Sequence, residues 1–180
     1  MNFTELALRG AFIVDMEPRK DDRGSFARAF CREEFSRHGL KTEVAQCNVS
    51  VNRRKGTLRG MHYQIPPKAE AKLVRCARGA VHDVIVDLRD DSPTFLRWEA
   101  VKLTGDDSRM LYIPEGFAHG FQTLVDDAEV FYQMFESYSP GHARGVRWDD
   151  PALGLEWPFP DPIVSERDRA YPLLGKPPER

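Results

Sequence analysis

The chain is short of cysteine, with only Cys31, Cys47 and Cys76 in 180 residues. An odd count without repeated spacing excludes a disulfide framework and a cysteine-based zinc site, and makes the reducing cytoplasm the expected compartment. No apolar run approaches the roughly 20 residues that span a bilayer, so no membrane association is expected. The opening Met1-Asn2-Phe3-Thr4-Glu5-Leu6 has no basic stretch and carries an early acid, so it does not read as a secretory signal. An excess of positive charge is also missing. Lys and Arg number 26 against 28 Asp and Glu, a formal net charge of -2, which gives no electrostatic case for nucleic acid. The small cluster Arg53-Arg54-Lys55 reads as a solvated loop. There is no Walker loop and no Gly-x-Gly-x-x-Gly opening a helix, so no nucleotide cofactor is indicated. No serine or cysteine sits in a nucleophile elbow. Repeats, low-complexity tracts, linkers and βαβ alternation are absent, which argues against a Rossmann fold.

What is present is turn chemistry and alternation. The 13 Gly and 13 Pro suit many turns between short strands. Strands are expected at Ala11 to Val14, Phe26 to Phe30, Val44 to Val51, Lys72 to Cys76, Val81 to Leu88, Arg97 to Leu103, Met110 to Ile113, Gly120 to Leu124 and Ala128 to Met134. One short helix is expected over Arg32 to His38, ended near Gly39. Turn signals every 8–15 residues or so point to an antiparallel all-β sandwich or barrel. After Pro140 the chain is irregular and rich in Pro, Asp and Trp, as an ordered cover would be. The end, Gly175 to Arg180, is expected to fray.

The chemistry concentrates in Gly56-Thr57-Leu58-Arg59-Gly60-Met61-His62-Tyr63-Gln64 and in Lys72 beyond it. Arginine binds anions, histidine titrates near neutral pH, and lysine is a fixed positive charge. Together they suit removal of a proton from a carbon next to a carbonyl. Lys72 shares a strand face with Val74 and Cys76, a costly place for an ammonium unless it serves a ligand. Asp168 is a carboxylate that could orient a histidine, although spacing cannot place it beside His62. Tyr132 falls on a face with Val130 and Met134, which suits a core aromatic as well as a proton donor. His119 is expected at a turn into a strand. His62 and His119 do not make a metal site, because position 64 is Gln where a paired histidine would be needed. Arg23, Arg28 and Arg59 are candidates for phosphate oxygens.

These segments have a pattern. Asp22-Arg23-Gly24-Ser25-Phe26, Gln46-Cys47-Asn48-Val49-Ser50, Leu58 to Gln64, Ala71-Lys72-Leu73-Val74-Arg75, Ile113 to Phe121, Gly145-Val146-Arg147-Trp148 and Ser165-Glu166-Arg167-Asp168 stand in order along nearly the whole chain. In these residues the chain resembles the dTDP-4-dehydrorhamnose 3,5-epimerase family of cupin-like enzymes. The resemblance implies a single domain over residues 1–180, a jelly-roll β-barrel or sandwich with a few short helices. It implies a cofactor-independent isomerase of deoxysugar biosynthesis, acting at C3, C5 or both of a nucleotide-diphosphate 4-keto-6-deoxyhexose. It also implies a homodimer built by exchange of N-terminal strands. By the same resemblance His62 is the base, Asp168 its support, Tyr132 the opposing acid and Lys72 the enolate stabiliser. Arg59 and His119 would line the sugar pocket. Arg23, Phe26, Gln46, Asn48, Tyr138 and Arg167 would contact the diphosphate and nucleotide. Arg28 and Ala143 stand where the family often has acids, and Gln133 where lysine is common. Arg28 then becomes a further candidate ligand contact, and the carrier could be dTDP, CDP or GDP. A 3,4-ketoisomerase and a non-catalytic sugar-binding cupin are the alternatives.

Overall fold

The computed structural model describes residues 1–175. Alternating apolar positions demand two covered faces, and the strands supply them as two antiparallel sheets. The six-stranded sheet runs β1 (Asn2–Glu5), β2 (Phe12–Asp15), β10 (Arg109–Ile113), β7 (Lys72–Arg78), β12 (Ala128–Met134), β5 (Gln46–Asn52). The five-stranded sheet runs β13 (Ala143–Gly145), β6 (Leu58–Gln64), β11 (Phe117–Thr123), β8 (Ala80–Asp87), β9 (Trp98–Thr104). A separate hairpin pairs β3 (Arg19–Asp21) with β4 (Gly24–Phe26). Two short helices, α1 (Arg32–Arg37) and α2 (Glu166–Arg169), complete the elements. The two packed antiparallel sheets are the sandwich that the turn spacing predicts, and their order is the jelly roll that the family resemblance implies.

The main core lies between the sheets. Val74, Cys76 and Val130 of one sheet meet Val81, Ile85, Phe117 and Phe121 of the other. Alternate residues go to the opposite face, where two further layers wait. Leu73, Met110 and Tyr112 pack outward with fully buried Phe35 of α1. Val84, Val86 and Ala118 pack outward under Val146, Leu153 and Trp157. The Pro- and Trp-rich segment after Pro140 is therefore the cover that its composition suggests. This coverage explains why β8 is buried on both faces from Asp83 to Asp87, instead of being wet on one.

Some local expectations change. The strand expected over Phe26 to Phe30 stops at Phe26, the last residue of β4, and β1 is an additional edge strand. His119 is not at a turn but at the third position of β11, because the strand begins at Phe117. The fraying expected for the C-terminus lies outside the described residues from residue 176 onward. Among the described residues no helix is long and apolar enough to cross a membrane.

Candidate active site

Regular alternation would put Arg59 and His62, three residues apart on β6, on opposite faces. They line one cavity because the ladder between β6 and β11 slips. His119 pairs with His62, but Phe121 pairs with Arg59. Three steps on β6 thus face two on β11, a β-bulge that re-aims a side chain. Gly60 occupies the bulge at φ +136°, and a Cβ there would lie 2.5 Å from the Cα of Gly120. A Cβ on Gly120 would in turn lie 2.8 Å from the Arg59 carbonyl. Only glycine fits either position.

His62 is bonded to a carboxylate from the far end of the chain. Its Nε2 lies 2.8 Å from Asp168 Oδ1. Asp168 rides on α2, where its N–H donates to the capping Ser165 Oγ at 3.1 Å. Its second oxygen accepts the Gly60 N–H at 3.3 Å. Burial opposes ionisation of Asp168, but the hydrogen bonds from His62, Gly60 and Ser165, with the nearby His62 charge, outweigh it and hold the carboxyl below its ordinary value. An ionised acceptor at Nε2 fixes the ring proton there, so Nδ1 is the basic nitrogen. The His62 side chain keeps 39% of its exposure, against 6% for Asp168.

Lys72 enters from the other sheet. Its Nζ donates to the His62 carbonyl at 3.2 Å and lies 3.0 Å from Glu70 Oε1. Tyr132, on β12 of that same sheet, makes an edge contact with the His119 ring at 6.0 Å. Burial, reinforced by the Asp83 carboxylate and opposed by Arg59, pushes its hydroxyl far above the ordinary tyrosine value. Tyr132 is therefore protonated throughout the working range. His119 Nε2 reaches both oxygens of Asp83, at 2.9 and 3.0 Å. Arg59 Nε donates to Asn52 Oδ1 at 2.8 Å, and Asn52 is itself fixed through the Ala128 and Ser50 carbonyls.

Of these, Arg59, His62, Glu70, Lys72, His119 and Tyr132 border one cavity of about 490 Å³. Gln46, Asn48, Tyr138 and Arg167 border the same cavity. There the Tyr138 N–H donates to Gln46 Oε1 at 2.9 Å, and Arg167 Nε to the Tyr171 hydroxyl at 3.0 Å. Three expected ligand contacts are not brought to the cavity of their own chain. Arg23 pairs with Asp21 on the exposed hairpin, and the Phe26 ring is 78% exposed. Arg28 pairs with Glu34 at 3.0 Å, and it shares a separate recess with Phe26.

Comparison with known proteins bears on this geometry. A family profile described as dTDP-4-dehydrorhamnose 3,5-epimerase matches residues 5–176. The chain belongs to that family. The dTDP-4-dehydrorhamnose 3,5-epimerase of Shigella flexneri is 43% identical over 169 residues, 93% of each chain. The crystal structure of the enzyme of that name from Bacillus anthracis, with TDP and PPi bound, superposes with a TM-score of 0.93 at 42% identity, covering 96% of this chain and 99% of that one. A dTDP-6-deoxy-D-glucose-3,5-epimerase from Legionella pneumophila, in complex with dTDP-4-keto-L-rhamnose, gives a TM-score of 0.89 at 34% identity, covering 94% and 90%.

Of Arg28, Gln133 and Ala143, Ala143 alone borders the cavity. Sequence reasoning misses Glu70, Asp83, Asn52 and Tyr171. Two of them carried a signal. Glu70 is two residues from Lys72, hence on the same face of an extended chain, and Asp83 is an acid inside an apolar run. Tyr171 carried none. Its ring packs edge-on to His62 at 5.7 Å, and a Cβ on Gly145 would lie 2.4 Å from it.

Proposed function

We propose that the chain is a cofactor-independent epimerase acting at C3, C5 or both of a nucleotide-linked 4-keto-6-deoxyhexose. One arrangement carries this reading: a carboxylate-backed histidine and a protonated tyrosine project into one cavity from opposing sheets, with a lysine bonded to the histidine's own carbonyl. The C4 ketone acidifies the neighbouring C–H bonds. His62 Nδ1 takes one proton, and Asp168 holds the imidazolium that forms. Lys72, itself nearly buried, donates to the enolate oxygen as a preorganised charge. Tyr132 then protonates the carbon from the other face and inverts it, and Arg59 steadies the phenolate. Solvent restores His62 and Tyr132 before the next turn. The single domain spans residues 1–180, and the free cysteines suit the cytoplasm. The TDP and dTDP-sugar ligands of the relatives' structures support dTDP as the carrier.

The expected result in D₂O is deuterium entry at C3, C5 or both of a dTDP-4-keto-6-deoxyhexose, with inverted product by NMR. No exchange with any dTDP-, CDP- or GDP-linked 4-keto sugar overturns the reading. A homodimer belongs to the same proposal. It is supported by the exposed hairpin bearing Arg23 and Phe26, and by Val49 and Val51, 63% and 56% exposed on edge strand β5. Light scattering should give twice the chain mass. Mixing inactive His62→Ala and Arg23→Ala chains should restore activity if the hairpin serves the partner's cavity. A fully active monomer removes the dimer.

A further inference from the structure

Lys72 and Glu70 form an ion pair with hardly any water. Their side chains are 6% and 8% exposed, and both border the cavity. An ammonium on a flexible four-carbon stem has no preferred direction of its own. Here two protein groups fix it, the His62 carbonyl at 3.2 Å and the Glu70 carboxylate at 3.0 Å. Neither could do so alone. A carbonyl supplies direction but little charge, and a buried cation without a counter-charge is costly.

The rest of the cavity does not supply that counter-charge. Arg59, Arg144 and Arg167 are cationic, and the carboxylates nearest the histidines are committed, Asp168 to His62 and Asp83 to His119. Glu70 is therefore the carboxylate that the cavity wall offers to Lys72. Its place follows from the sequence Glu70-Ala71-Lys72. Buried Ala71 turns to the outer layer beside Phe35, and the residues on either side of it turn to the cavity.

We propose, on the epimerase reading of this cavity, that Glu70 is a positioning residue that holds the Lys72 ammonium against the His62 carbonyl. Electrophile and base are then tied to one point of β6, and an oxygen at C4 meets a donor already in place. The pair is also nearly neutral as a whole, so the lysine acts as an aimed donor more than as a bare charge.

Glu70→Ala tests this. The expected loss in kcat is on the order of 10²-fold, the scale that misplacement of a catalytic group by about an ångström produces, with KM nearly unchanged. Glu70→Gln, which keeps an acceptor of the same reach, should recover part of it. In a Lys72→Met background the same Glu70→Ala change should cost less than about twofold, because a positioning residue has nothing left to position. Equal losses in both backgrounds, or an unchanged kcat in folded Glu70→Ala protein, would overturn the proposal. A crystal structure of Glu70→Ala decides the point without turnover. The Lys72 Nζ should leave the His62 carbonyl, and if it stays the inference fails even where the enzyme is active. Absence of exchange in the wild-type protein would instead sink the epimerase reading and leave this structural result standing.

Discussion

Two histidines border the cavity, each backed by a carboxylate behind the wall, and the two pairs are nearly the same object in bond lengths. His62 meets Asp168 at 2.8 Å and His119 meets Asp83 at 2.9 Å. They differ in surroundings. The His62 side chain is 39% exposed and that of His119 is 4% exposed. Asp168 sits at the edge of a short helix, whereas Asp83 is sealed in the sheet-to-sheet core and lends its charge to Tyr132. A buried, doubly held imidazole serves as a wall and an electrostatic fixture. A half-open one with a free ring nitrogen can exchange protons with substrate and solvent. The pairing motif alone does not make a base; access does.

The largest effect that separates the pairs is expected from His62→Ala. Deuterium exchange should fall by about 10³–10⁴-fold, near the upper range of general-base contributions, with nucleotide binding retained by calorimetry. A comparable loss in binding would mean that His62 is a wall residue like His119. Next come the carboxylates. Asp168→Asn should lower kcat by about 10²–10⁴-fold, because the ring loses the partner that sets its tautomer and holds its charge. Asp83→Asn should cost less than about tenfold in kcat but about 1–3 kcal/mol in stability, the usual range for spoiling a buried hydrogen bond. Chemical denaturation and steady-state kinetics on both variants read the contrast directly, and equal kcat losses would erase it.

Acid sharpens the comparison further. The folded-state carboxyl of Asp168 titrates below its ordinary value of 3.8. Its stabilising contribution is complete above that value and is lost as pH falls through the lower folded value. The stability gap between wild type and Asp168→Asn should therefore narrow as denaturation is repeated from about pH 6 down towards pH 3, and a gap that widens with acid contradicts the assignment. The smallest effect is expected from Asn52→Ala. It frees Arg59 and should raise KM severalfold with little change in kcat, on the scale of an ordinary net hydrogen bond of about 0.5–1.5 kcal/mol.

Much of this was legible in the chain. β12 has the bounds its alternation predicts, Ala128–Met134. The Pro- and Trp-rich segment is the cover that its composition suggested. The residues singled out for proton transfer do border one cavity or back a residue that does. What was illegible is tertiary. The bulge that brings Arg59 and His62 to one face violates the two-residue period from which faces are read. The bond between His62 and Asp168 spans 106 residues, a distance over which periodicity says nothing. Phe26 reads as a ligand contact by resemblance alone, Arg23 also as an arginine suited to phosphate oxygens, and neither borders the cavity of its own chain.

The contact between Gly60 and Gly120 has a consequence for how the sequence could ever change. Each glycine is needed because of the backbone opposite, so no compensating substitution at the second position can open room for a side chain at the first. The two sites form a dead end in sequence space that single mutations cannot leave. Divergence around this base must go through the loops and the cavity rim.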